Sequence, residues 1–330
     1  MKYRKIGNTE LNCSEIGFGS WVISGGDAWT DTDDQTSMQV LQKAYDEGIN
    51  FFDAAPAYGM GHAEELLGKA IKPFRKDCII ATKCGIVWND RGDVYRLLSK
   101  ESIFREVEDS LRRMQTDYID LYQVHWPDFQ VPVNQTMEAL MKLKEQGKIR
   151  YIGVCNTPVF EMDDMRRYGE IVSSQNLYNM IDRNSKYFNM DPLLYETEKE
   201  ILPYCEKNGM GFIPYAPLCQ GLLTGSFKRG QNFHKTDVRT VNRNLVGANL
   251  QKNLETVERV RQVADEIGHK MSQLAINYLL KKEVVTTVIA GSTKTEFLMD
   301  NIASLDWQLD NTTYEKLNCI LAGSGLNSIE

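Results

Sequence analysis

A short apolar, β-branched run followed by a longer amphipathic segment recurs along this chain, and that alternation restricts the fold more than any other feature. Ile16-Gly17-Phe18 leads to a helix predicted from about Asp33 to Glu47, where Gly48 supplies a C-cap. Asn50-Phe51-Phe52-Asp53 precedes a helix over 63–71, the run 78–83 precedes 100–114, and the run 119–125 precedes 134–146. Further on, 151–155 precedes 159–168, and 171–175 leads to a helix near 196–207. The run 211–215 precedes two helices, 254–267 and 272–280, and 285–290 precedes 295–303. These make about eight β→α units, with a leading hairpin (3–6 and 11–13) and a trailing helix from about Thr312.

Strands that alternate with helices require a parallel sheet, and eight such units close into a (β/α)8 TIM barrel of typically about 250 residues. The surplus in a chain of 330 residues fits the N-terminal β-hairpin, extra C-terminal helices and two long connections, 20–32 and 221–249. A doubly wound open sheet is the runner-up, but no Gly-x-Gly-x-x-Gly follows the first strand. The near match Gly59-Met60-Gly61-His62-Ala63-Glu64 follows the second strand and ends in Glu64. No Pro/Gly-rich linker divides the chain, so residues 1–330 read as a single domain.

Composition excludes several functions. A net charge of −7 with scattered Lys and Arg gives no basic patch for nucleic acid or an anionic membrane. No apolar run approaches the roughly 18 residues of a membrane helix, and the N-terminus lacks the apolar core of a signal peptide. Seven cysteines without a Cys-x-x-Cys pair read as reduced thiols, and four histidines without helical pairing make a metal site unexpected. A cytoplasmic location is the expectation. No apolar surface stripe marks a subunit interface, so monomer and homo-oligomer both stay open.

The predicted strands end in polar residues: Asp53, Lys83, His125, Asn156, Gln175, Tyr215 and Gly291-Ser292-Thr293, with Tyr58 five residues beyond Asp53. A barrel brings such ends to one mouth. A tyrosine hydroxyl has a pKa near 10, and a nearby ammonium lowers it while a carboxylate holds the ammonium in place. Asp53, Lys83 and Tyr58 would form such a relay, and His125 would hydrogen-bond a carbonyl oxygen. With neither nucleophile nor metal in the set, the chemistry is proton donation to a substrate oxygen, and a cofactor must carry the electrons. Singly, each residue has a plain structural reading: a cap, a surface charge, a loop aromatic, a packed histidine. Their convergence on consecutive strand ends is what argues for a site.

The motifs around these positions run in one order. They are Ile16-Gly17-Phe18-Gly19-Ser20-Trp21, Phe52-Asp53-Ala54-Ala55-Pro56-Ala57-Tyr58-Gly59, Ala81-Thr82-Lys83 and the stretch from Tyr118 through His125-Trp126-Pro127. Then come Ile152-Gly153-Val154-Cys155-Asn156, Ser174 through Asn179, Pro214 through Leu218, Gly221 through Gly225, and Gly291 through Asn301. Through them the sequence resembles the aldo-keto reductases, in particular the long-chain bacterial branch similar to potassium-channel β-subunits and inositol-utilisation reductases. The resemblance covers nearly the whole chain. It implies that Asp53, Tyr58, Lys83 and His125 are the catalytic tetrad of an NADP(H)-dependent oxidoreductase, with Tyr58 as proton donor to an aldehyde or ketone. It implies that Asn156 and Gln175 hold the nicotinamide carboxamide and that Tyr215 stacks on the ring. Leu218, Gln220 and Gly221 fall at the pyrophosphate. Gly291, Ser292, Thr293, Lys294, Phe297 and Asn301 fall at the adenosine. Gly19, Ser20 and Trp21 fall between the ribose and the substrate pocket.

The sequence departs from the family pattern at Cys155 and Ala216, each in place of a serine, and at Thr293 and Phe297, where basic or glutamine side chains are common. Lys294 is adjacent, within reach of a 2′-phosphate as a single point charge. The resemblance to the family favours NADP(H), and NAD(H) stays open. Trp21 and Trp126, with Tyr58 and His125, are expected to line the substrate pocket; Trp29 and Trp88 lie in nearby loops. Cys84 reads as a buried inert thiol, and Glu196-Thr197-Glu198-Lys199-Glu200 as a solvated helix face. Two rival functions remain at this level. One is a barrel lyase forming a Schiff base on Lys83. The other is a slow-turnover, cofactor-binding regulatory subunit.

Overall fold

The computed structural model describes residues 1–26, 29 and 32–322. Asp27, Ala28, Thr30 and Asp31 of the first long loop lie outside the described residues. Eight parallel strands form the central sheet: β1 (Ile16–Gly19), β2 (Phe51–Asp53), β3 (Ile79–Cys84), β4 (Ile119–Val124), β5 (Ile149–Cys155), β6 (Ser173–Leu177), β7 (Gly211–Tyr215) and β8 (Val288–Ala290). Each pairs with its neighbour in sequence up to β7, and β8 returns beside β1. A bridge from Phe212 to Val285 brings β7 against the entry to β8 and closes the barrel.

Helices α1 (Asp34–Asp46), α2 (His62–Ile71), α3 (Lys100–Met114), α4 (Val133–Glu145), α5 (Val159–Met165) and α6 (Leu202–Asn208) follow the first six strands in turn. After β7 come α7 (Gly247–Glu266) and α8 (Met271–Leu280), and after β8 come α9 (Thr295–Ile302) and α10 (Asn311–Ala322). The predicted order therefore holds. The second long connection is shorter than expected, because α7 begins at Gly247, and short 3-10 turns such as Val238–Val241 and Arg243–Leu245 break up the rest. None of the helices among the described residues is long and apolar enough to cross a membrane.

Strand alternation sorts the side chains into two cores. Phe52, Ile80, Tyr122 and Phe212 face outward and pack under the helices. Phe51, Ile79, Ala81, Leu121, Ile213 and Ile289 face the barrel axis. The axial core is completed from below by Ile6, Leu11 and Cys13 of the N-terminal hairpin. Arg4 ties that hairpin to the carbonyls of Leu280 and Val285 at 3.0 and 2.8 Å. With the lower end plugged by apolar side chains, the next inward positions along each strand are the upper ones. There the sequence switches to Asp53, Lys83, Gln123, Cys155, Gln175 and Tyr215.

The end of β3 is pinned from outside by a buried carboxyl. Glu106 on α3 accepts from the Gly85 amide and from the Ser102 hydroxyl, each at 2.9 Å. Burial pushes its pKa up to about 7 against the pull of those two hydrogen bonds. A raised carboxyl pKa means that folding disfavours the ionised form. Stability should therefore fall as pH rises from about 4.5 through 7, by up to about 3 kcal/mol. Glu106→Gln removes the charge while its Oε1 accepts from the Gly85 amide and its Nε2 donates to the Ser102 hydroxyl in place of the bond accepted there. Its denaturation midpoint is expected to change less between pH 5 and pH 8, and to exceed the wild-type value at pH 8. Parallel profiles for the two proteins would refute this.

Candidate active site

At the mouth of the barrel four oxygen atoms from three residues meet around one ammonium. Lys83 Nζ donates to Asp53 Oδ1 and Oδ2 at 2.9 and 2.8 Å, to the Ala54 carbonyl at 2.8 Å and to the Tyr58 hydroxyl at 3.2 Å. Lys83 is 0% exposed and Asp53 2%. Register sets this up: Asp53 pairs with Ala81 on the next strand, so Lys83, two residues further along the same face, rises just above the carboxylate. Burial pulls the ammonium pKa down more than any single neighbour raises it, but the charge and hydrogen bonds of Asp53 together with Tyr58 and Cys155 outweigh it, so the pKa moves up and Lys83 stays charged. A Schiff-base lysine needs an accessible free amine. Lys83 offers neither, and the geometry argues against the lyase reading.

Tyr58 corrects one expectation. Its pKa moves up rather than down, because the cost of burying the phenolate exceeds the stabilising pull of Lys83. Tyr58 therefore holds its proton at neutral pH. Since Lys83 donates to the Tyr58 oxygen, the bond uses a lone pair and leaves the O–H to point at another acceptor. His125 faces Tyr58 edge-on, ring centres 5.9 Å apart. Burial, then the charges of Lys83 and Arg96, hold its pKa well below the usual range, so the imidazole is neutral. A protonated phenol and a neutral imidazole thus flank one spot where an oxygen atom would sit.

Behind this group lies a layer of amides. Gln175 donates to Asp53 Oδ1 at 2.8 Å, and Gln123 approaches the same oxygen at 3.5 Å. Gln123 fits because Gly153 has no side chain: a Cβ there would lie 3.0 Å from Gln123 Cγ and 2.6 Å from Ser173 Oγ. Asn156 donates to the His125 carbonyl at 3.3 Å and accepts from both Tyr195 and Tyr215, at 2.9 and 2.8 Å. The Cys155 thiol bridges the two amide residues, accepting from Asn156 Nδ2 at 3.2 Å and donating to Gln175 Oε1 at 3.6 Å. It fills a small buried polar position, as a serine would. Gln123 and Tyr195 join this layer in addition to the residues expected from the strand ends. Gln123 was legible from its inward phase two residues before His125; Tyr195 reaches in from a loop and carried no signal.

The residues expected at a dinucleotide line the side of the mouth between β7 and β1. Gly291 lies so close to β1 that a Cβ would come within 3.0 Å of the Gly19 carbonyl and 2.8 Å of a Val22 methyl. Beside it the Ser20 hydroxyl is buried without a hydrogen-bond partner among the described residues, and so is the Gln220 Nε2. Leu218 opens the tight turn that follows β7, where Gln220 and Gly221 both have positive φ, 50° and 100°. Asn242 donates to Gln220 Oε1 at 2.9 Å. Asn301 donates to Ser292 Oγ at 3.1 Å, which leaves the serine proton free for an outside acceptor. Lys294 is exposed at the start of α9, beside Thr293, with its ammonium 6.0 Å from the exposed Phe297 ring. Buried donors without partners among the described residues, one of them beside a glycine that leaves no room for a Cβ, suit a phosphate-bearing ligand.

An aromatic wall covers the other side. Trp21 lies 6.3 Å from Tyr58, 5.6 Å from Trp29 and 6.3 Å from Phe188, and Phe188 meets Tyr215 edge-on at 5.0 Å. Trp126 is 7% exposed, with the guanidinium of Arg96 on its face at 4.6 Å. Trp88 lies on one of two small hairpins that add to the predicted elements, Ile86–Trp88 with Val94–Arg96 and Tyr187–Phe188 with Asp191–Pro192. The first had a usable signal in Asn89-Asp90-Arg91-Gly92-Asp93 between β-branched and aromatic runs. A shallow, solvent-open cleft between the 182–189 stretch and residues 242–244 adjoins the wall at Phe188.

The profile of the Aldo/keto reductase family matches residues 15–322. Among known proteins, the chain is 36% identical to the aldo-keto reductase YhdN of Bacillus subtilis, over 97% of this chain and 94% of that protein. It is 34% identical to an NADH-specific methylglyoxal reductase of Escherichia coli, over 94% of this chain and 95% of that one. Among solved structures, the glycerol dehydrogenase AKR11B4 of Gluconobacter oxydans superposes with a TM-score of 0.88 at 32% identity, covering 100% of this chain and 98% of that one.

Proposed function

The chain belongs to the aldo/keto reductase family, and from that membership we propose that it is a single-domain cytoplasmic carbonyl reductase, using NADP(H), in which Tyr58 gives the proton. The observation that carries this reading is the Tyr58 hydroxyl, 3.2 Å from a buried ammonium that is itself held by Asp53. A bound nicotinamide supplies the hydride for the carbonyl carbon. Tyr58 protonates the oxygen as charge develops on it, and the fixed charge of Lys83 stabilises the phenolate left behind. Asp53 keeps Lys83 charged and aimed. Neutral His125 orients the carbonyl oxygen without competing for the proton. In the alcohol-oxidising direction the same groups act in reverse.

For the cofactor, Gln220 would donate to the pyrophosphate, Ser292 to the adenosine end and Ser20 to the ribose end, while Asn156 and Gln175 would hold the carboxamide and Tyr215 the ring. Lys294 would meet the 2′-phosphate as a point charge. Titration of the protein with NADPH and with NADH, followed by nicotinamide fluorescence, tests the reading without any substrate. We expect NADPH to bind the more tightly. Lys294→Ala should weaken NADPH about 10-fold, the worth of one partly exposed charged contact, and shift NADH by less than about twofold. Equal weakening of both would remove Lys294 from the 2′-phosphate, and no binding of either would remove the reductase reading.

A further inference from the structure

One side chain joins the two hairpins at the mouth. Arg96, at the end of the first, donates from Nη2 to Asp191 Oδ1 of the second at 2.8 Å. Its guanidinium carbon lies 4.6 Å from the centre of the Trp126 ring, and Trp126 directly follows His125. The Arg96 charge is felt at His125 itself. The other N–H groups of Arg96 have no acceptor among the described residues. Both partners are accessible, with side chains 36% and 53% exposed.

Stacking on an indole fixes the plane of a guanidinium and leaves its edges for planar acceptors. Asp191 shows what such an edge accepts here: a carboxylate, held without burial, so a competing one can reach the arginine. A chain of net charge −7 repels anions at long range, which makes a cation beside the reacting oxygen a local feature with a selective effect. We infer that Arg96 forms the distal end of the substrate pocket and binds the carboxylate of aldehyde or ketone acids whose carbonyl lies between Tyr58 and His125. This rests on the carbonyl-reductase reading above. Asp191 stands in for that carboxylate until substrate arrives and weakens anion binding by competing for the same group.

The test uses the full-length enzyme with NADPH and two matched pairs of substrates: 3- and 4-formylbenzoate, and their neutral methyl esters. The quantity read is the ratio of kcat/KM for acid over ester. In the wild type the acid of at least one pair should be preferred. Arg96→Met should lower that ratio about 10-fold or more, mostly through KM, since an unpaired carboxylate loses a charge-assisted contact. Arg96→Lys, which keeps the charge on a similar stem, should lower it less. Asp191→Asn should raise it. A merely structural Arg96 would change acid and ester together, leaving the ratio fixed, and that result overturns the inference. So does a wild type that prefers neither form. Ester turnover with an unmoved ratio removes this inference alone; no turnover of any probe removes the reductase reading and this inference with it.

Discussion

Tyr58→Phe should lower kcat by about 10²- to 10⁴-fold, the range lost when a positioned proton donor is removed. The ring keeps its contacts with Trp21 and His125, so packing is preserved and only the hydroxyl goes. Affinity for NADPH should move by less than about twofold, because no cofactor-holding residue depends on that hydroxyl. Steady-state rates with an aldehyde, alongside a fluorescence titration, check both halves. Because the phenol is held protonated and His125 neutral, the wild-type rate of reduction should show no titration of either group between pH 6 and 8. A variant that turns over at near wild-type speed would take Tyr58 out of the chemistry.

The second large effect is at Lys83. Lys83→Met leaves Asp53 buried at the mouth with Gln175 and Gln123 as donors but no cation. An uncompensated buried charge costs about 3–5 kcal/mol, a large share of the stability of an ordinary protein. Activity should also fall at least as far as in Tyr58→Phe, since the phenolate loses the charge that stabilises it. Denaturant unfolding measures the first effect. Combining Lys83→Met with Asp53→Asn separates the two. Removing both charges should recover part of the lost stability, while activity stays absent. Recovered activity in the double variant would mean that the ion pair serves the fold alone.

Several of these residues are visible in the sequence because a barrel strand is read two residues at a time. In Phe51-Phe52-Asp53 and Ile79 through Lys83 the inward positions are apolar low in the barrel and charged at the top, so the polarity change itself marks the mouth. The same phase places Gln175 and Tyr215. Gln123 shares it and is easily passed over, since an amide one step below a histidine resembles core polarity. Arg96 and Asp191 lie 95 residues apart on separate hairpins, and no periodicity relates them. Tyr195 and Phe188 reach the site from the connection after β6, where side-chain direction follows the loop's path.

The direction of the Tyr58 pKa belongs to the same class. Sequence places a lysine near a tyrosine, which argues for a lowered value; whether burial outweighs that attraction depends on how densely the barrel mouth is packed. The chain by itself determined the eight-fold alternation, the apolar floor and the polar rim, because these depend on local propensity and on a two-residue repeat. Only the closed barrel decided which rim groups touch, which stay charged and which loop residues stand over them. Those outcomes rest on register, desolvation and contacts between segments distant in sequence, and all three arise only once the sheet has closed.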